Sequence, residues 1–128
     1  MIERQFLDDN LLQLRKLKAQ AEKAVGQVAD AQSFGLLDPD ANSIALILKH
    51  VAGNMRSRWT DFLTTDGEKP DRNRDSEFEI GPNDSREVLL ARWEDGWSRV
   101  LSSISSLQPE DLGRTVMIRG EAHTVLQA

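Results

Sequence analysis

Apolar and polar positions along the chain divide it into three helical stretches joined by segments without a helical period. In "ERQFLDDNLLQLRKLKAQAEKAVGQVADA", Leu7, Leu11, Leu14, Ala21, Val25 and Val28 fall on one face, with charged residues covering the other. Gly35, Asp38, Pro39 and Asp40 then break the pattern. A second helix is expected from Asn42 or Ser43, both good capping types, to about Thr64. Its stripe of Ile44, Ile47, Leu48, Val51, Met55, Trp59 and Phe62 is the strongest periodic signal in the chain. From Thr65 to Asp84 the sequence holds two glycines, two prolines and many charges of both signs, and periodicity is lost. A connection this long is usually functional or disordered. A third helix follows, opened by Asp84 with Glu87 as a capping-box variant, carrying Leu89, Leu90, Trp93, Trp97, Val100, Leu101 and Ile104, and stopped by Pro109. "GRTVMIRGEAH" reads as a brief strand or an extended connector, and "HTVLQA" as the opening of a fourth helix, with His123 or Thr124 as its cap. There is no internal repeat. The expected fold is all-α: a single-domain antiparallel up-down bundle over residues 1–128, with three full helices and the start of a fourth.

Composition narrows the function classes. A length of 128 residues suits one domain, and a net charge of -5 argues against a nucleic-acid ligand, which needs a basic face. The absence of cysteine removes disulfides, thiolate metal sites and a cysteine nucleophile within this sequence. No apolar run reaches the ~20 residues of a membrane span, and "MIERQFLDDN" is too acidic for a signal peptide, so a cytoplasmic location without membrane partners is expected.

The candidate chemistry centres on His50. An α-helix turns ~100° per residue, which places the second helix's apolar stripe within about 60° of Ile44 and His50 about 120° from it, on the side of Ser43 and Asn54. His50 therefore sits on a polar stripe beside the core. That suits a solvated polar residue, and it suits a ligand facing another helix of a bundle. His123 reads as a cap or loop residue, and metal binding with His50 would need further ligands such as Asp61 or Glu121. Arg56, Arg58, Arg72 and Arg74 form a candidate anion cluster, but the interleaved acids from Asp61 to Glu79 favour local salt bridges that pin the loop to the second helix. Trp59, Trp93 and Trp97 read as core.

The stretch from Asn42 to Glu79, with "KHVAGN" and "TDFLTTDGEKPDRNRDSEFE", together with "RWEDGW" and "GEAHTVLQA", resembles an uncharacterised bacterial subgroup of the DinB-like (YfiT-like) superfamily of four-helix bundles. The resemblance implies a divalent metal, nickel or zinc, held by one histidine of helix 2 and a His-x-x-x-His pair of helix 4. His50 matches the helix 2 position. The pair would fall beyond Ala128 and has no counterpart here, so the resemblance implies a sequence cut short in helix 4, and these 128 residues alone are not expected to hold the metal. Some relatives are transferases or isomerases that use the metal to activate a low-molecular-weight thiol. Two function classes follow as expectations. One is a metal-binding protein related to thiol-dependent transferases. The other is a non-catalytic bundle acting by self-association, with a homodimer expected because an incomplete fourth helix leaves an apolar groove.

Overall fold

A computed structural model describes residues 1–27 and 39–128, with only the backbone described at 39–43. Three helices carry the fold: α1 (Ile2–Gly26), α2 (Pro39–Trp59) and α3 (Arg86–Ser105). A small antiparallel hairpin follows, β1 (Thr115–Ile118) and β2 (Glu121–Thr124). The protein is thus mostly helical, with a two-stranded sheet that an all-α expectation omits.

The helices form where the apolar stripes predict them, although Ile47 of the α2 stripe is exposed. In α1, Leu7 and Val25 are buried, and Leu11, Leu14 and Ala21 pack against the core. Val28 and the break at Gly35 and Asp38 lie outside the described residues. α2 and α3 make the most extensive helix pair, and α1 lies against α3. Leu48 and Met55 of α2 meet Trp93, Trp97, Val100 and Ile104 of α3 in one core, which Phe62, Leu107, Val116 and Val125 extend. Gly96 allows the close approach of the two helices, because a Cβ there would lie 3.1 Å from Met55 Cβ and 3.3 Å from the Ala52 carbonyl. Trp93 and Trp97 are core residues as expected, meeting edge to face at 5.9 Å rather than stacking.

Several boundaries differ from the sequence reading. Pro39 is not a breaker but the first residue of α2, a position that does not need the missing N–H. α2 ends at Trp59, not Thr64. Thr60 Oγ1 turns back to donate to the Arg56 carbonyl, and Asp61 adopts a left-handed φ of 47°. Thr64 and Thr65 amides then both donate to the Asp61 carbonyl, closing a turn that still buries Phe62. Ser85, not Asp84, caps α3: its hydroxyl accepts from the Val88 amide at 3.2 Å, while the Asp84 carboxylate is occupied elsewhere.

The charged segment 65–84 is neither periodic nor free. It contains a 3₁₀ turn, Asp75–Phe78, and is fastened at two places. Ser57 Oγ donates to the Gly67 carbonyl at 2.8 Å and accepts from the Lys69 amide at 2.9 Å, tying it to α2. The Asp66 carboxylate accepts from the Arg119 and Gly120 amides, each at 2.8 Å, and the Gly67 amide donates to the Met117 carbonyl, tying it to the hairpin. The hairpin closes through Arg119 and Gly120, at φ 54° and 76°, the paired positive values of a type I′ turn.

The expected fourth helix needs correction. His123 lies in β2, opposite Val116, because the chain alternates through this stretch and pairs with β1. Beyond it a single turn forms. Thr124 Oγ1 accepts from the Gln127 amide while Gln127 Oε1 accepts from the Thr124 amide, a reciprocal capping box of the predicted cap residue. Val125 is buried there and Leu126 is exposed.

Candidate functional site

His50 lies midway along α2 and its side chain is about one-third exposed, at 37%. Its Nδ1 lies 3.0 Å from Glu77 Oε1, on the 3₁₀ turn. Glu77 is buried, with 7% of its side chain exposed, and Arg72 beside it keeps only 5%. Arg72 grips this carboxylate with two bonds, Nε to Oε2 and Nη2 to Oε1, both 2.9 Å. Such bidentate pairs are strong and directional. Glu68 approaches Arg72 at 3.7 Å. Gly53, one turn after His50 on α2, makes room for this arrangement, since a Cβ there would overlap Glu77 Oε2.

Protonation follows from these contacts. Burial pushes the Glu77 carboxyl up, but the bonds and charges of Arg72 and His50 outweigh it and hold the group below its ordinary 4.5. Arg72 is held even more firmly charged by the same bond. An ionised carboxylate accepts and cannot donate. The proton of the 3.0 Å contact therefore sits on His50 Nδ1, and in the neutral ring the lone pair is on Nε2. Nε2 has no hydrogen-bond partner among the described residues. Phe78 stacks on the ring at 5.1 Å and 29°, fixing its plane. A carboxylate behind one imidazole nitrogen is the usual means of orienting the other toward a metal.

The remaining candidates are not gathered here. His123 Nε2 lies 3.9 Å from Glu121, and no group of three or more His, Cys, Asp or Glu suited to a metal occurs among the described residues. The described residues thus supply one oriented nitrogen and do not complete a metal site. The arginine cluster divides: Arg72 is consumed by Glu77 and Glu68 and Arg56 pairs with Asp71 at 3.4 Å, whereas Arg58 Nε is buried with no hydrogen-bond partner among the described residues. A second pin closes the end of the loop. The buried Asp84 carboxylate receives Lys49 of α2 at 2.7 Å and the Gly81 amide at 2.8 Å, with Arg92 of α3 at 3.4 Å. Lys49 also donates to the Glu79 carbonyl at 2.7 Å.

The whole chain, residues 1–128, matches the model of a family described as "Protein of unknown function (DUF1572)". The chain belongs to this family. No curated protein and no solved structure matches it. In this DUF1572 protein, sequence reading singled out His50 but not the residue that orients it. Glu77 lies 27 positions away in a stretch without periodicity, and it is one of many acids there. The available signal was Gly53, an isolated glycine inside a strong helical pattern, where it costs ~1 kcal/mol relative to alanine. No helix among the described residues is long and apolar enough to cross a membrane.

Proposed function

We propose that this DUF1572 chain is a DinB-like bundle protein that binds a divalent metal, nickel or zinc, with His50 Nε2 as one ligand, and is related to thiol-dependent transferases. The observation that carries the reading is the Arg72–Glu77–His50 relay, in which a buried, ionised carboxylate fixes the tautomer that a ligand needs. The other donors would come from outside the described residues, since one histidine is not a site. A metal held there would supply Lewis-acid chemistry toward a thiol or water. What the chain itself supplies is orientation: Glu77 holds Nδ1–H, Phe78 holds the ring plane, and Arg72 keeps the carboxylate charged.

Calorimetric titration of the purified protein with nickel and with zinc, beside its His50→Ala variant, tests the proposal. Saturable binding that disappears in the variant is the expected result. Equal binding in both proteins, or none in either, sinks it. Self-association is the second reading, favoured by the exposure of Ile47 and Phe78 around His50 and of Ile2, Phe6 and Leu17 on α1. Sedimentation of the metal-free protein separates the two, because a dimer without metal supports the second reading alone.

A further inference from the structure

An open cleft of about 800 Å³ lies between α2, α3 and the 65–84 segment, within the ~300–1,000 Å³ range of small-ligand sites. Glu77 and Arg72 form part of its wall, but His50 does not line it, and its small apolar lining is Ala52, Gly53 and Ala91. Lys49, Arg72 and Arg92 are on its wall, and near the last turn of α2 cations from three chain segments line it, Arg56 of α2, Lys69 of the loop and Arg99 of α3. Arg99 Nη1 donates to Thr60 Oγ1 at 2.8 Å, and Thr60 Oγ1 donates to the Arg56 carbonyl. Lys69 Nζ donates to the Ser57 carbonyl at 2.8 Å and to the Asp66 carbonyl.

These cations differ from Arg72 in what they have to spare. Lys69 has no carboxylate in ion-pair range among the described residues. Burial pulls its pKa below 10.5, and the more distant carboxylates of Asp66, Asp61 and Asp71 offset this only in part. Arg99 spends Nε on Asp95 and Nη1 on Thr60, leaving Nη2. The pair of Arg56 with Asp71 is long, at 3.4 Å, with 62% and 68% of the two side chains exposed, and such a pair yields readily to a stronger anion. Asp61, Asp71 and Asp95 also line the cleft, so a ligand meets acceptors as well as donors. The left-handed backbone of Asp61 lies on the same wall. Three cations with donor capacity to spare along one wall exceed what one carboxylate requires and suit a tetrahedral dianion.

We propose that this cleft binds a small phosphate-bearing molecule, with the phosphate held by Arg56, Lys69 and Arg99. The site is independent of the metal proposal, since none of the three cations touches His50. The test is an amide NMR titration of the full chain, kept in chelator, with phenyl phosphate and with inorganic phosphate, against sodium chloride of matched ionic strength and against malonate. The expected result is saturable shifts at Ser57, Thr60 and Lys69, an affinity for phenyl phosphate at least as high as for inorganic phosphate, and a loss of about tenfold or more in Lys69→Met and Arg56→Gln. Arg56 is exposed, so Arg56→Gln remains informative if Lys69→Met fails to fold. Shifts that chloride reproduces, equal binding of malonate, or full affinity in Arg56→Gln would each overturn the proposal.

Discussion

Replacing Gly53 with alanine is a sharp probe of the relay, because two effects of opposite sign meet at one atom. Alanine in a helix interior stabilises by ~1 kcal/mol over glycine. At Gly53 the new Cβ would overlap Glu77 Oε2 and stand 2.7 Å from its Cδ and 3.3 Å from its Cγ. Glu77 could give way only by leaving Arg72, whose side chain is 5% exposed and has no comparable partner to replace it. Breaking a buried ion pair on one side costs ~3–5 kcal/mol. The clash should therefore win, and Gly53→Ala should destabilise the fold by about 2–4 kcal/mol once the ~1 kcal/mol helix gain is subtracted. Urea unfolding followed by circular dichroism reads this directly. In a Glu77→Ala background the obstacle is gone, so the same substitution should become neutral or stabilising by up to ~1 kcal/mol. A Gly53→Ala protein as stable as the unsubstituted one, or equally destabilised with and without Glu77, would mean that Glu77 is not the obstacle.

Other consequences concern pH, the hairpin and the helix contact. Glu77 and Asp84 have folded pKa values held below their ordinary 4.5 and 3.8, so the stability they contribute is complete above those values and is lost as the pH falls through the lower folded ones. Acid titration of stability should therefore slope down below about pH 4.5, and more gently in Glu77→Gln. Asp66→Ala should speed hydrogen exchange at Arg119, Gly120 and Gly67 while leaving the amides of α3 protected, because its carboxylate holds the first two and its segment holds the third. Gly120→Ala should cost ~1 kcal/mol in urea unfolding, since φ is 76° there. Gly96→Val should cost ~1–3 kcal/mol by forcing Met55 and the Ala52 carbonyl away from α3.

The sequence made the helices legible because their order is local. Leu89, Trp93, Trp97, Val100 and Ile104 repeat at helical spacing and are buried together, and the stripe of α2 likewise supplies Leu48 and Met55 to the core. Near Thr124 the cap residue was named, but as the start of a helix, whereas the Thr-x-x-Gln box closes only a single turn after β2. What escaped were contacts between distant segments. The early end of α2 depends on Asp61 accepting a left-handed backbone, and the role of Asp84 passed from helix cap to loop anchor because Lys49, 35 positions away, claims it. At the candidate site, the place of His50 on a polar stripe was visible. Its tautomer was not, because that depends on which of several acids in the 65–84 segment is carried back to α2 and on Arg72 keeping that acid charged. The β1–β2 hairpin announced itself only through the alternation at Val116 and Ile118 before Arg119 and Gly120.

Everything proposed for the site depends on Glu77 fixing His50 with its proton on Nδ1 and its lone pair on Nε2. Long-range proton–nitrogen NMR of the ¹⁵N-histidine protein at alkaline pH measures this without any metal. The expected result is an Nδ1–H tautomer at His50 that is lost as a single dominant form in Glu77→Ala. An Nε2–H tautomer in the unsubstituted protein would contradict it.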